Sequence, residues 1–252
     1  MNISNLIKLG ISLGLEIWLV ALLFRRDVRR HFPVFFFYIL ASTPVTAVRL
    51  LTVSNYLVYF YAYWSSNGVL LLFGLAALHE VFYWVYEGFY SLRWFQVLYY
   101  SAIGIVLLGS IRNSITNPPV QADPLVSLIL SVGIAINFIQ VAIVAVFSVL
   151  INPLNIAFRR YPFGIAAGFG ASAMGPLIGY FSRSIFGTRM DTFAQNASAV
   201  AYIFALIIWI MAFFRQEPEE KAWTPPMAPE EMLRIVRGYL KVLRPGRKEH
   251  VG

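Results

Sequence analysis

The chain has 252 residues, of which 59% are hydrophobic, 16% aromatic and 13% charged, and its formal net charge is +8. Soluble domains carry about 25% charged residues, so this composition excludes an ordinary water-soluble fold. The absence of cysteine excludes disulfides, thiol nucleophiles and iron–sulfur clusters. Three histidines are too few for a histidine-rich metal site. We therefore expect neither a metal nor another cofactor.

Seven apolar segments follow one another along the chain, and each is long enough to cross a hydrocarbon layer of about 30 Å as a helix. Lipid offers no partner to free backbone groups, so the segments are predicted to be α-helices. Their approximate ranges are 5–24, 34–53, 59–86, 95–111, 125–150, 163–185 and 196–214. The predicted fold is all-α: a polytopic membrane protein with a seven-transmembrane-helix bundle over residues 1–214.

Basic residues fall mainly in alternate connections between these segments, and this bias predicts the orientation. The densest cluster, at residues 25–31, separates the first two segments, and cytoplasmic loops collect lysine and arginine. Placing it inside puts fifteen of the twenty basic residues on the same side. The N-terminus is then outside and the C-terminus inside the cell membrane. The basic inner surface predicts contact with anionic lipid headgroups, and no contact with nucleic acid.

Residues 215–252 form a separate cytoplasmic tail. A proline-rich connector precedes a predicted basic amphipathic helix at about 230–243. This helix could lie on the inner leaflet or pack on the protein's own loops, and hydrophobic periodicity does not choose between them. A cytoplasmic partner could also bind the tail.

Polar residues inside the apolar segments are the candidate functional residues, because placing an ionisable group at membrane depth costs at least about 2.5–3.5 kcal/mol. Glu16 lies near the middle of the first segment and could carry a proton or cation, pair with a ligand, or make a structural hydrogen bond. His79, Glu80 and Tyr83 lie in the third segment and could relay protons or hold a cationic ligand. That segment is longer than a single crossing requires, which leaves the depth of His79 and Glu80 open.

Two further groups of residues are expected to hold helices together. Asn137 and Gln140 of the fifth segment are candidate ligand-binding residues, but amides commonly link helices in lipid and we favour that role. The sixth segment has small residues at a spacing that permits close helix packing, with contact between two copies as a second use. These residues are Gly164, Gly168, Gly175 and Gly179.

Arg49 and Arg183 lie near the outer ends of the second and sixth segments. Each could recognise an anion. Long basic side chains near helix ends also extend to the headgroups, and we expect this simpler behaviour.

Two classes of function agree with these patterns. In the first, the bundle binds a small ligand or ion as a sensor or receptor-like module. In the second, it is a small transporter or channel, and Glu16, His79 and Glu80 could couple transport to proton movement. The last segment has no lysine that could hold retinal, so a retinal protein is not expected. No hydrolase motif is present, so no enzymatic activity is expected.

Overall fold

The computed structural model describes residues 3–52, 54–86, 93–116, 124–151, 159–215 and residue 234. Within these ranges the chain is helical and has no strand, so the all-α prediction is confirmed there. Each helix end lies within five residues of its predicted position. The seven long helices are α1 (Ile3–Arg25), α2 (Pro33–Leu51), α3 (Tyr56–Val85), α4 (Arg93–Thr116), α5 (Pro124–Ile151), α6 (Arg160–Phe186) and α7 (Asp191–Phe214).

Successive helices alternate in direction, as the contacts between their ends show. The first and last helices run side by side in the same direction. At one end the Arg26 guanidinium donates to the carbonyls of Phe213 and Phe214, at 3.2 and 2.7 Å. At the other end Lys8 donates to the side chain of Asn196. An odd number of alternating helices produces this parallel pairing.

Five helices form a closed ring, and the other two helices pack on it. Contacts join α1 to α2, α2 to α3, α3 to α6, α6 to α7, and α7 back to α1. Helix α5 packs against both α3 and α6, and α4 packs on α5 at the periphery. The most extensive contact is between α6 and α7.

Small residues explain that extensive contact. Gly164, Gly168, Gly175 and Gly179 all face α7, and a Cβ atom on any of the first three would collide with an α7 atom. At Gly179 a Cβ atom would lie 3.0 Å from the Cα of Ala194. The two backbones therefore approach along nearly the whole length of α6.

Aromatic side chains fill one half of the ring. Trp209 is 0% exposed, and its ring centroid lies 5.4 Å from Phe35, 5.2 Å from Phe169 and 6.1 Å from Tyr38. Phe213 stacks on Phe35 at 5.8 Å. Helices α2, α6 and α7 are thus packed together by one aromatic cluster.

Six of the seven helices are long and apolar enough to cross a membrane, and α4 contributes a shorter apolar stretch, Tyr99–Arg112. Large apolar side chains cover the outside of the bundle, including Ile105 at 70% and Val149 at 70% exposure. A soluble monomer rarely exposes so much apolar surface, which supports a membrane helical bundle. The predicted tail helix at about 230–243 lies outside the described residues, apart from Arg234.

Candidate functional site

Glu16 lies where α1, α2 and α7 meet, and its side chain is 0% exposed. Its Oε1 atom accepts two hydrogen bonds, from Thr46 Oγ1 at 3.0 Å and from the Tyr202 hydroxyl at 2.6 Å. One carboxyl oxygen therefore binds hydroxyl groups of two neighbouring helices. This is the most completely buried ionisable carboxyl group in the described part of the chain.

The second carboxyl oxygen, Glu16 Oε2, is buried and has no hydrogen-bond partner among the described residues. Within the same residues, one other buried side-chain atom lacks a partner, and it is Arg49 Nε. A buried polar atom without a partner costs about 1–3 kcal/mol. One carboxyl oxygen and one guanidinium N–H group are thus left without a partner at neighbouring places in the bundle.

Polar side chains of α2 surround this carboxyl group because they recur at helical spacing. Tyr38, Ser42, Thr46 and Arg49 are separated by four, four and three residues, so they form a stripe along one face of α2. Tyr38, Ser42 and Thr46 are buried. Tyr38 and Arg49 both interact electrostatically with Glu16. The stripe lies on the face of α2 that meets α1 and α7.

Arg49 turns toward α3. It donates from Nη2 to Ser66 Oγ at 2.9 Å and to the Tyr63 carbonyl at 3.3 Å, and its guanidinium lies 4.6 Å from the Tyr63 ring centroid. The prediction from the sequence was that this side chain extends to the headgroups. The structure instead holds it against α3, since a cation gains more from a ring face and two oxygen atoms than from exposure. No ion pair joins Arg49 to Glu16 in the described structure.

Glu80 closes the N-terminus of α2. The residue before this helix, Phe32, has no side-chain acceptor, and Pro33 has no backbone N–H to satisfy. The next two backbone N–H groups, of Val34 and Phe35, donate to the two Glu80 carboxyl oxygens at 3.0 Å each. The carboxyl group also lies at the positive end of the α2 dipole. Both oxygens of Glu80 are therefore engaged in capping.

Glu16 and Glu80 lie at different levels of the bundle. Glu80 contacts α2 at Val34, whereas Glu16 contacts it at Thr46. Twelve residues of helix separate these contacts, which is about 18 Å. The two carboxyl groups do not line one common cavity.

His79 contacts α4, whereas Glu16 and Glu80 bond to other helices. Its Nδ1 atom is 3.1 Å from the Tyr99 hydroxyl and its Nε2 atom is 3.3 Å from the Tyr100 hydroxyl, both on α4. The His79 and Tyr99 rings stack at 5.4 Å. Tyr83, one turn further on, is 46% exposed. The α3 candidates therefore diverge: His79 contacts α4, Glu80 caps α2, and Tyr83 faces outward.

The amide candidates of α5 are buried away from Glu16. Asn137 donates from Nδ2 to the carbonyl of Gly133 on its own helix at 2.8 Å. Gln140 is 4% exposed and lies beside Gly74 of α3, where a Cβ atom would come within 3.3 Å of Gln140 Nε2. The Gln140 contact joins two helices, whereas the Asn137 bond stays within one.

Sequence reasoning identified Glu16 but missed the residues that surround it. The hydroxyl donors Thr46 and Tyr202 lie on separate helices and have no sequence relationship to Glu16. The four-residue spacing of Ser42 and Thr46 was an available signal for a polar stripe. No comparable signal in the sequence pointed to Tyr202, because a tyrosine in an apolar segment resembles any interfacial aromatic residue.

Among the described residues, no group of three or more histidine, aspartate or glutamate side chains could hold a metal ion. The chain matches no protein-family model, no curated protein and no solved structure in the comparisons made.

Proposed function

We propose that this chain is a multi-pass membrane protein whose helix bundle binds a small ligand or ion at Glu16, as a sensor or receptor-like module. The observation that carries the proposal is the buried, unpartnered Oε2 atom of Glu16. A fully buried carboxyl oxygen requires a proton, a water molecule or a ligand to offset its lost hydration. The simplest ion that this oxygen can bind is a proton.

The hydrogen-bond pattern supports a bound proton. The two hydroxyls that hydrogen-bond to Glu16, those of Thr46 and Tyr202, reach the same oxygen, Oε1. The nearby Ser42 hydroxyl donates instead to the Ile39 carbonyl, at 2.9 Å. This asymmetry fits the neutral acid, in which Oε1 is the carbonyl oxygen with two lone pairs and Oε2 carries the hydrogen. An ionised carboxylate would draw donors to both oxygens, as Glu80 does. Glu16 is therefore proposed to hold an exchangeable proton.

The sensor reading has more support than the transport alternative through Glu16, His79 and Glu80. Glu80 has both oxygens bound to α2, and His79 lies against α4. The aromatic cluster around Trp209 occupies the ring between the two levels. A continuous polar route along these three residues would require the cluster to open.

An infrared measurement tests the proton site. In the purified protein in lipid nanodiscs, we expect a carboxylic-acid C=O stretching band that shifts in D₂O and disappears in Glu16→Gln. Glu80→Gln is the matched control and should keep the Glu16 band, because this substitution leaves the Glu16 carboxyl group and its hydroxyl donors in place. A spectrum in which Glu16→Gln keeps the band, or a band insensitive to D₂O, would refute an exchangeable proton at Glu16.

The proposed topology has seven crossings, with the N-terminus outside and the C-terminus inside. The parallel pairing of α1 and α7 supports an odd number of crossings. Alternation then places eight described basic residues at one end of the bundle and five at the other. The larger group, proposed to face the cytoplasm and its anionic headgroups, is Arg25, Arg26, Arg29, Arg30, Arg93, Arg159, Arg160 and Arg215.

Thiol labelling tests this orientation. The chain has no cysteine, so an introduced one is its only thiol. Arg29→Cys and Arg189→Cys replace exposed residues in turns at opposite ends. A membrane-impermeant maleimide should label Arg189→Cys in intact cells, and Arg29→Cys only after permeabilisation. Labelling of both positions from the same side would rule out an odd number of crossings between them, and the reverse pattern would invert the topology.

A further inference from the structure

We infer that the Glu16 site extends to Arg49 and takes a small anion, of which a monocarboxylate is the best fit. The inference rests on the proposed function and names the class of its ligand. Its basis is the pair of unpartnered buried atoms, Glu16 Oε2 and Arg49 Nε, which are the two such side-chain atoms in the described residues. Their residues lie on adjacent helices and interact electrostatically without forming an ion pair.

The chemistry of the two open atoms selects an anion. Arg49 Nε carries a hydrogen and donates only. Glu16 in its neutral form also donates, from the hydroxyl at Oε2. Two donors and one net positive charge are satisfied together by a ligand with two acceptor oxygens and a negative charge. A carboxylate has this arrangement, and charge-assisted bonds of this kind are the strong ones.

The pair lies closer to one end of the bundle than to the other. Arg49 lies three residues beyond Thr46 on α2, which is a rise of about 4.5 Å. Thr46 in turn lies five residues, or about 8 Å, before the helix ends at Leu51. An anion arriving from this end, the proposed outer end, meets Arg49 first and Glu16 second. It does not pass the aromatic cluster around Trp209.

Glu16 is the one carboxyl group among the described side chains that face this pair. The other titratable or charged side chains facing the pair are Tyr38 and Arg49 of α2, Tyr202 of α7, and Tyr59 and Tyr63 of α3. Lys8, on the same helix as Glu16, is bound to Asn196 of α7. Phenols and basic side chains ordinarily titrate near or above pH 10.

Proton and anion binding are therefore coupled. When Glu16 is neutral it donates to the anion, and when it is ionised it repels the anion and offers no donor. Anion binding is present while Glu16 holds its proton and is lost as rising pH removes that proton. By reciprocity, the bound anion strengthens proton binding by the same factor.

Formate binding to the full-length protein tests the inference. Formate stays ionised at about pH 5 and about pH 8, and calorimetry in phosphatidylcholine nanodiscs reports its dissociation constant. For the unchanged protein we expect binding to weaken by about tenfold or more between these pH values, which is about 1.4 kcal/mol. Glu16→Gln, whose amide donates like the neutral acid, should bind formate equally at both.

Arg49 supplies the second arm of the test. Arg49→Gln should lose formate binding at both pH values, and Arg49→Lys, which keeps the charge but has no Nε–H, should bind about tenfold more weakly. Arg183→Gln, also near the end of a helix, is the control and should bind normally. If Arg49→Gln and Arg49→Lys bind formate with the same dissociation constant as the unchanged protein, the inference is overturned.

The two proposals fail in different ways. If neither the unchanged protein nor any variant binds formate, but the Glu16-dependent infrared band is present, the anion inference is wrong and the proton site stands. If the band is missing as well, both are wrong.

Discussion

Replacing Gly168 with alanine is expected to cause a large loss of stability. The new Cβ atom would collide with the indole of Trp209, whose Nε1 donates to the Ile165 carbonyl at 3.2 Å. Trp209 cannot move away, since it is 0% exposed and packed against Phe35 and Phe169. Overpacking of this kind costs about 1–3 kcal/mol, occasionally more. Thermal unfolding in nanodiscs measures the effect as a lowered melting temperature.

Gly104→Ala is the matched control for this substitution. Gly104 is also inside a helix, but a Cβ atom there meets nothing within 4 Å. The added methyl group should leave the melting temperature unchanged or raise it slightly, because alanine favours helix over glycine. Equal melting temperatures for Gly168→Ala and Gly104→Ala would contradict the close contact between α6 and α7.

Removing the Glu80 carboxyl group is expected to have the second large effect. Glu80→Ala leaves the backbone N–H groups of Val34 and Phe35 without their acceptors. Loss of an N-cap costs about 0.5–2 kcal/mol, and each hydrogen bond to a charged group contributes about 1.5–3 kcal/mol. We expect a loss of about 2 kcal/mol or more, measured by unfolding and by faster amide hydrogen exchange at Val34 and Phe35.

Glu80→Gln separates capping from charge. Its amide oxygen still accepts one hydrogen bond, so the destabilisation should be about half that of Glu80→Ala. Exchange rates at residues 34 and 35 that do not change in Glu80→Ala would show that another group caps α2.

Two carboxyl groups inside the bundle, the buried Glu16 and the half-buried Glu80, differ in how their oxygen atoms are bonded. Both Glu16 and Glu80 interrupt apolar segments, and the sequence marked both as candidates. Glu80 has each oxygen bound by a backbone N–H at a helix start, where the helix dipole favours its charge. Glu16 meets two hydroxyls on one oxygen and nothing on the other. Only the second arrangement leaves an atom for a ligand.

The sequence by itself determined the helices. A run of about 20 apolar residues has few alternatives to a helix in lipid, and α2 and α6 stay helical through Pro44 and Pro176. Turn residues and charges then place the ends of such a run: Pro33 starts α2, one residue before the predicted segment, and the basic connection before it interrupts the apolar run. The small-residue spacing of α6 similarly pointed to a closely packed helix face.

Only the tertiary structure decided the partners of the polar side chains. Adjacent residues of a helix point about 100° apart, so His79 and Glu80 reach different helices although they are neighbours in the chain. Which neighbour each side chain meets depends on how every helix is rotated and which helices adjoin it. For the same reason Thr46 and Tyr202 came to Glu16 from distant parts of the chain. Helix formation is a local property, whereas a binding site at a helix junction depends on the packing of the whole bundle.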